Sequence, residues 1–261
     1  MDTHHPHAGS TPFLILAHPG HELRLFHWME RMRPRVFLLT DGSGGAALPR
    51  THYSAATIAA AGASAGGLFG WKPDKAWYAA LLSGDAAPFA EALDCIEAEA
   101  GELRPQLLVT DAVDGYNPMH DLCAALGAAL RYRLAAAGAP VQHLVSMAVD
   151  SQDPPPPAER LHLSPQAARR KQGAVADYTP LADETCALLT LRPDALEVEV
   201  LRQPNFAWAA DWTPLWEAIG RERVATGLYP DAISYARHVR PIALSLGAVA
   251  GLKLPRLLGH I

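Results

Sequence analysis

The chain has 261 residues, 49% hydrophobic and 19% charged, with 22 prolines and 20 glycines, which is enough apolar material for one large core and too little charge for a disordered chain. A formal net charge of −5 with scattered Arg and Lys argues against a nucleic-acid partner, because phosphate neutralisation needs grouped cations. Cys95, Cys123 and Cys186 are odd in number and widely spaced, so they give no sign of a disulfide framework or a cysteine zinc knuckle and suit a reducing, cytoplasmic compartment.

Residues 1–11, with His4, His5 and His7 but no apolar run, read as a flexible tail and not a signal peptide. Residues 12–261 then read as a single α/β domain. Phe13–Ala17 is an unbroken apolar run, as expected of a strand buried on both faces. It stops at the turn signal His18-Pro19-Gly20. Glu22 to Arg33 reads as a helix ended by Pro34, Val36–Leu39 as a second buried strand, and Thr40 to Gly45 as a glycine-rich loop. Helices are expected over 55–61 and 85–102. Leu107–Thr110 is another buried strand, followed by a loop over 111–117 and a helix from Pro118 to about Ala137. A strand over 141–149 leads to a rigid proline loop at 154–157. Ser164-Pro165 starts a helix through Tyr178, with Ser164 as N-cap. Leu196–Leu201 reads as a strand, antiparallel or at an edge. Trp208, Trp212 and Trp216 recur every four residues, the pattern of a helix that turns its aromatics inward. The apolar run from Ile242 to Leu252 is too short to span a bilayer and reads as a packed helix; nothing favours a membrane contact.

Alternating strand and helix predicts an α/β, Rossmann-like fold, a mostly parallel sheet with helices on both faces. Ligands of such sheets sit outside the carboxyl ends of the strands. Three loops with chemically capable residues leave those ends: 18–22, 40–45 and 111–121.

His18 and His21 flank a Pro-Gly turn, where side chains three apart can converge on one ion. His120 opens a helix after another strand. If the two strands are near neighbours, the three imidazoles can meet, and three protein ligands leave a fourth position for water, the plan of a catalytic zinc site. A His at a strand end is more often only a polar loop residue, so spacing alone does not establish a metal. Zinc, manganese and iron all suit three imidazoles. Gly42, Gly44 and Gly45 either cradle a phosphate or mark a permissive tight loop; no P-loop Lys follows them. A nucleotide-sugar substrate rests on that loop alone. No G-x-S-x-G elbow is present.

Phe-Leu-Ile-Leu-Ala-His-Pro-Gly-His-Glu at 13–22 resembles the opening strand and signature of the PIG-L/LmbE-like zinc deacetylases, which typically read Ala-His-Pro-Asp-Asp-Glu. Val36 to Gly42, ending Thr-Asp-Gly, resembles the family's second strand and loop. Asn117-Pro118-Met119-His120 resembles its His-Pro-Asp-His, and Arg170 to Tyr178 its later helix. The resemblance spans residues 12–180 and implies a Rossmann-like sandwich that hydrolyses N-acetyl groups of amino sugars. His18, His21 and His120 take the places of the three metal ligands, with His21 where the family has Asp. Four departures stand out. Gly20 occupies the place of the general base, Asn117 that of a supporting His, Met119 that of a carboxylate beside the last ligand, and His27-Trp28 that of a small Gly-Gly pair, where bulk should crowd the pocket. A missing base costs about 10²–10⁴-fold in rate. Asp41, Asp114 and Glu22 are the candidates to replace it, against plainer roles in a turn or behind a ligand His. Tyr116, Asn117 and His27 are the candidates for binding substrate.

Two readings compete. One is a hydrolase, with zinc or another divalent metal, removing an N-acyl group from a small amino-sugar-like molecule. The other is a catalytically silent relative that serves binding or assembly. The sequence leaves homo-oligomerisation open.

Overall fold

The computed structural model describes residues 10–44, 48–150 and 154–247. In chain order the elements are β1 (Phe13–Leu16), a 3-10 turn (His21–Leu25), α1 (Phe26–Met32), β2 (Arg35–Thr40), α2 (Thr51–Ala60), β3 (Ser64–Lys72), α3 (Asp74–Ser83), α4 (Ala87–Leu103), β4 (Leu107–Asp111), α5 (Pro118–Ala136), β5 (Gln142–Ser146), β6 (Pro157–His162), α6 (Pro165–Asp177), α7 (Ala182–Leu191), β7 (Val198–Arg202), α8 (Leu215–Ala225) and α9 (Arg240–Ser245).

The strands form one sheet in the order β3-β2-β1-β4-β5-β7-β6. β1 to β5 pair in parallel, while β7 runs antiparallel to both β5 and β6. The apolar strands are covered on both sides. Phe13, Ile15, Phe37 and Leu39 face α4, α5 and α9; Leu14, Leu16, Val36 and Leu38 face α1 and α2. Alternate residues of one strand therefore enter opposite cores, which explains the unbroken apolar runs. β1 lies between β2 and β4, and the chain leaves it first toward β2 and β3, then returns to β4. The carboxyl ends of β1 and β4 thus flank a topological switch point, the usual place for a ligand crevice.

The helix expected over 22–33 is split. A tight 3-10 turn carries His21 and Glu22, and the α-helix begins only at Phe26. The first N–H groups of α1 have no side-chain N-cap of their own. Glu199 of β7 supplies the acceptors: Oε1 takes His27 N at 2.8 Å and Oε2 takes Trp28 N at 2.7 Å. Lys171 of α6 balances that buried carboxylate at 2.9 Å. Trp28 therefore packs in the core beneath the sheet.

The tryptophan spacing does not mark a helix. Residues 203–214 are irregular, Trp208 has a left-handed φ of 54°, and only Trp216 sits on α8. Trp208 and Trp212 instead collect around Phe206 and Tyr235, with centroids 4.4–6.3 Å apart. Aromatic burial set that segment, and an i, i+4 pattern is only one way to achieve it. The strand β3, with three glycines in nine residues, gave no periodic signal. Of the apolar C-terminal run, Ile242 to Ser245 is helical, and the rest from residue 248 lies outside the described residues, as do residues 1–9. Among the described residues no helix is long and apolar enough to cross a membrane.

Candidate metal centre

The turn after β1 is made by Gly20, with φ 107°, a backbone shape that an L side chain resists. Its N–H donates to Glu22 Oε2 at 2.8 Å. This turn places His18 and His21 on one side. α5 starts beside them. Asn117 caps it, with Oδ1 accepting Met119 N at 2.9 Å, and His120 falls in the first turn. The three rings meet: centroids lie 5.4 Å apart for His18–His21, 5.2 Å for His18–His120 and 4.7 Å for His21–His120.

Each ring is held through the same nitrogen. His120 Nδ1 lies 2.8 Å from Asp114 Oδ2, and His21 Nδ1 2.9 Å from Asp111 Oδ2. His18 Nδ1 lies 2.9 Å from Thr40 Oγ1 and 3.3 Å from Asp74 Oδ1. Carboxylates only accept, so Nδ1 of each ring carries a proton. His18 Nε2 is buried without a hydrogen-bond partner. Burial, reinforced by His18, holds His21 well below the usual imidazole range. Burial likewise lowers His120, although Asp114 works against the shift. Both rings are neutral at neutral pH. The side chain of His21 is 17% exposed, against 4% for His120.

The surrounding carboxylates differ. Burial pushes Asp111 up to about 6 and Glu22 up to about 6. Each keeps one buried, unpartnered oxygen, Asp111 Oδ1 and Glu22 Oε1. Burial works against the charge of Asp74, but His18 and the Gly44 N–H outweigh it and hold Asp74 below the ordinary range. Asp114 is spent at both oxygens, on His120 and on Tyr116 N. Asp41 Oδ1 accepts Ser43 N at 2.9 Å and Asp74 N at 3.4 Å, so it shapes the loop that carries Asp74.

Other sequence candidates lie around this cluster. Tyr116 is 52% exposed. Asn117 Oδ1 also accepts Tyr78 OH at 3.3 Å, which leaves its amide nitrogen to face the adjoining cavity. His27 is hydrogen-bonded to Glu30 and Glu199, and none of its bonds reaches the three imidazoles. The glycine loop spends its amides internally: Gly42 N on Thr40, Ser43 N on Asp41 and Gly44 N on Asp74. Those amides are not aimed at a phosphate, and Gly45 lies outside the described residues. Asp74 and Asp111 escaped the sequence reading. Asp111, an acid closing a buried parallel strand, carried a signal. Asp74, on a helix after an unrecognised strand, carried none.

The position that the resemblance gives to a general base is filled. A Cβ on Gly20 would come 2.4 Å from Leu181 Cδ1 and 3.6 Å from Tyr178 Cζ. Tyr178 and Leu181 belong to the turn between α6 and α7, so that turn closes over the spot where a carboxylate would stand.

Comparison with solved structures places the architecture. The A40926 pseudoaglycone deacetylase Dbv21 superposes with a TM-score of 0.51 at 17% identity, covering 74% of this chain and 96% of that one. The conserved protein TT1542 from Thermus thermophilus superposes with a TM-score of 0.53 at 17% identity, covering 78% of this chain and 99% of that one. No protein-family model matches the chain, and no curated protein matches it by sequence. Nearly the whole of each neighbour is accounted for, and at this identity the likeness is one of fold: the chain has the α/β fold seen in LmbE/PIG-L-type deacetylases.

Proposed function

We propose that the chain is a metal-dependent amide hydrolase that removes an N-acyl group from an amino-sugar-like substrate. His18, His21 and His120 would hold a divalent ion, zinc by preference. The observation that carries this reading is the convergence of three imidazoles, each fixed through Nδ1, with His18 Nε2 buried and unpaired. Carboxylate–histidine pairs of this kind orient metal ligands and raise their basicity. As they stand, no group of three or more His, Cys, Asp or Glu side chains among the described residues is arranged to hold a metal. The ring spacing is nevertheless close to what zinc needs. Two imidazoles bound tetrahedrally through nitrogens at about 2.0–2.1 Å have their ring centres about 5 Å apart.

A bound divalent ion supplies Lewis acidity that polarises the amide carbonyl and acidifies water. The chain's own groups do the rest. Asp114, Asp111 and the Thr40–Asp74 pair fix the three rings. The Asn117 amide faces the cavity as a donor. Among the carboxylates touching the rings, Asp111 alone keeps an unpaired buried oxygen, the one free to accept a proton. Water adds to the carbonyl carbon, the C–N bond breaks, the nitrogen takes a proton, and a carboxylate and an amine leave.

A second reading, a silent relative, has its own support: Gly20 and Leu181 together close the usual position of the base. Metal analysis and assay of protein truncated before Thr11 separate the two. About one zinc per chain, lost in His18→Ala and His120→Ala, with amine release from N-acyl glucosamines, is expected for the hydrolase. Metal without turnover on a broad amide panel gives the silent relative, and a folded protein without metal sinks the triad.

A further inference from the structure

A cavity of about 540 Å³ opens beside the triad, between α3, α5 and α8. That volume lies in the range of roughly 300–1,000 Å³ typical of small-molecule sites. It joins the triad at two places. Asp74, in its wall, is 3.3 Å from His18, and Asn117, also in its wall, caps the helix that bears His120. Leu82, Trp216, Ile219, Tyr229 and Ile233 give it an aliphatic and aromatic surface, while Lys75, Arg223 and Asp231 also line it.

Several polar atoms of this wall are already hydrogen-bonded. Tyr78 OH donates to Asn117 at 3.3 Å, and Trp216 Nε1 donates to Asp121 Oδ2 at 2.7 Å. Arg223 donates to Tyr229 OH at 3.1 Å, and Gly44 N to Asp74 at 2.8 Å. A sugar ring needs a directed donor or acceptor for each hydroxyl, and a polar group buried without one costs about 1–3 kcal/mol. The stretch of wall formed by Leu82, Trp216, Ile219 and Ile233 offers almost none. Arg24, which acts electrostatically on His21, meets Asp150 at 3.4 Å, and Arg192 meets the same carboxylate at 3.1 Å.

We infer that this cavity receives the acyl side of the scissile amide, and that the acyl group is an apolar chain of several carbons and not acetyl. The inference rests on the hydrolase reading above and names its substrate class. The amine-bearing, hydrophilic part of the substrate lies toward Arg24. The acyl chain runs past Asp74 and Asn117 onto Trp216 and Ile219. Hydrolysis adds water across the amide C–N bond and frees a medium-chain carboxylate and an amine.

The test uses the full chain loaded with zinc and a series of N-acyl glucosamines: acetyl, butanoyl, hexanoyl and octanoyl. Amine release gives kcat/KM, and calorimetric titration of each compound gives Kd independently of turnover. Each added methylene is expected to improve both on the order of fourfold until the cavity is full. Ile219→Trp fills the cavity and should collapse the octanoyl-to-acetyl ratio, with circular dichroism confirming that the variant is folded. Octanoyl binding that is tight in the wild type and lost in Ile219→Trp, without turnover of any compound, keeps the cavity assignment and sinks the hydrolase reading. Hydrolysis of acetyl with flat or falling binding and kcat/KM along the series overturns the cavity assignment and leaves the hydrolase reading standing.

Discussion

Replacing Gly20 tests whether the place of the missing base is closed by the fold or merely empty. Gly20→Ala puts a Cβ on a residue with φ 107°, 2.4 Å from Leu181 Cδ1. Two costs follow. Backbone strain at such a φ is about 1–3 kcal/mol. Leu181 Cδ1 is the end of a flexible side chain, so it swings away off its preferred rotamer for about 0.5–1.5 kcal/mol. The expected loss of stability is therefore about 2–4 kcal/mol, read from the urea midpoint at constant slope. Leu181→Ala should remove the second cost and leave the first, so a double-mutant cycle should show coupling of about 0.5–1.5 kcal/mol. Gly20→Asp should pay both costs and gain no turnover, because Leu181 and Tyr178 occupy the space the carboxylate needs. A Gly20→Ala protein within about 0.5 kcal/mol of wild type would refute the reasoning, because the turn would then relax freely. Faster hydrolysis by Gly20→Asp would refute it more directly.

Lys171→Met strands the carboxylate of Glu199, which also caps α1, and should cost about 3–5 kcal/mol by chemical denaturation. Adding Glu199→Gln should recover much of that loss, and an unimproved double variant would mean that packing, not charge, ties α6 to β7. His143, buried on β5 beside Arg131, has its pKa lowered to about 4 from 6.5. The unfolded chain takes up the proton first, so its contribution is fully present above about pH 6.5 and is lost as pH falls toward 4, about 3 kcal/mol in all. His143→Gln should flatten that acid limb, and an unchanged slope would assign it to other groups. Asp111→Asn keeps an acceptor oxygen near His21 but removes the charge, and should lower kcat about 10²–10⁴-fold with zinc retained. Loss of zinc instead would make Asp111 a positioning residue only.

The sequence reached the fold because parallel strands buried on both faces leave unbroken apolar runs. Phe13–Leu16, Arg35–Thr40 and Leu107–Asp111 all fell within a few residues of their expected places. It missed β3, where glycines take the place of apolar side chains, and with β3 the helix that carries Asp74. It also took the tryptophan spacing for a helix, since a local period does not distinguish a helix from an irregular segment pulled inward by Phe206 and Tyr235.

For the site, the chain by itself determined which residues have ligand chemistry: three histidines at the ends of strands, and a glycine where a base is expected. Residue type and local turn geometry are properties of short segments, so they are legible there. Tertiary structure alone decided the rest. His18 and His120 meet because β1 and β4 are neighbours at the switch point of the sheet. Asp74 behind His18, Asp111 behind His21, the leucine over Gly20 and the cavity beyond Asp74 come from segments tens of residues away, whereas Asp114 behind His120 is six residues off. Hydrogen bonds at Nδ1 fix each imidazole, burial decides which carboxylate keeps an unpaired oxygen, and both belong to the assembled fold.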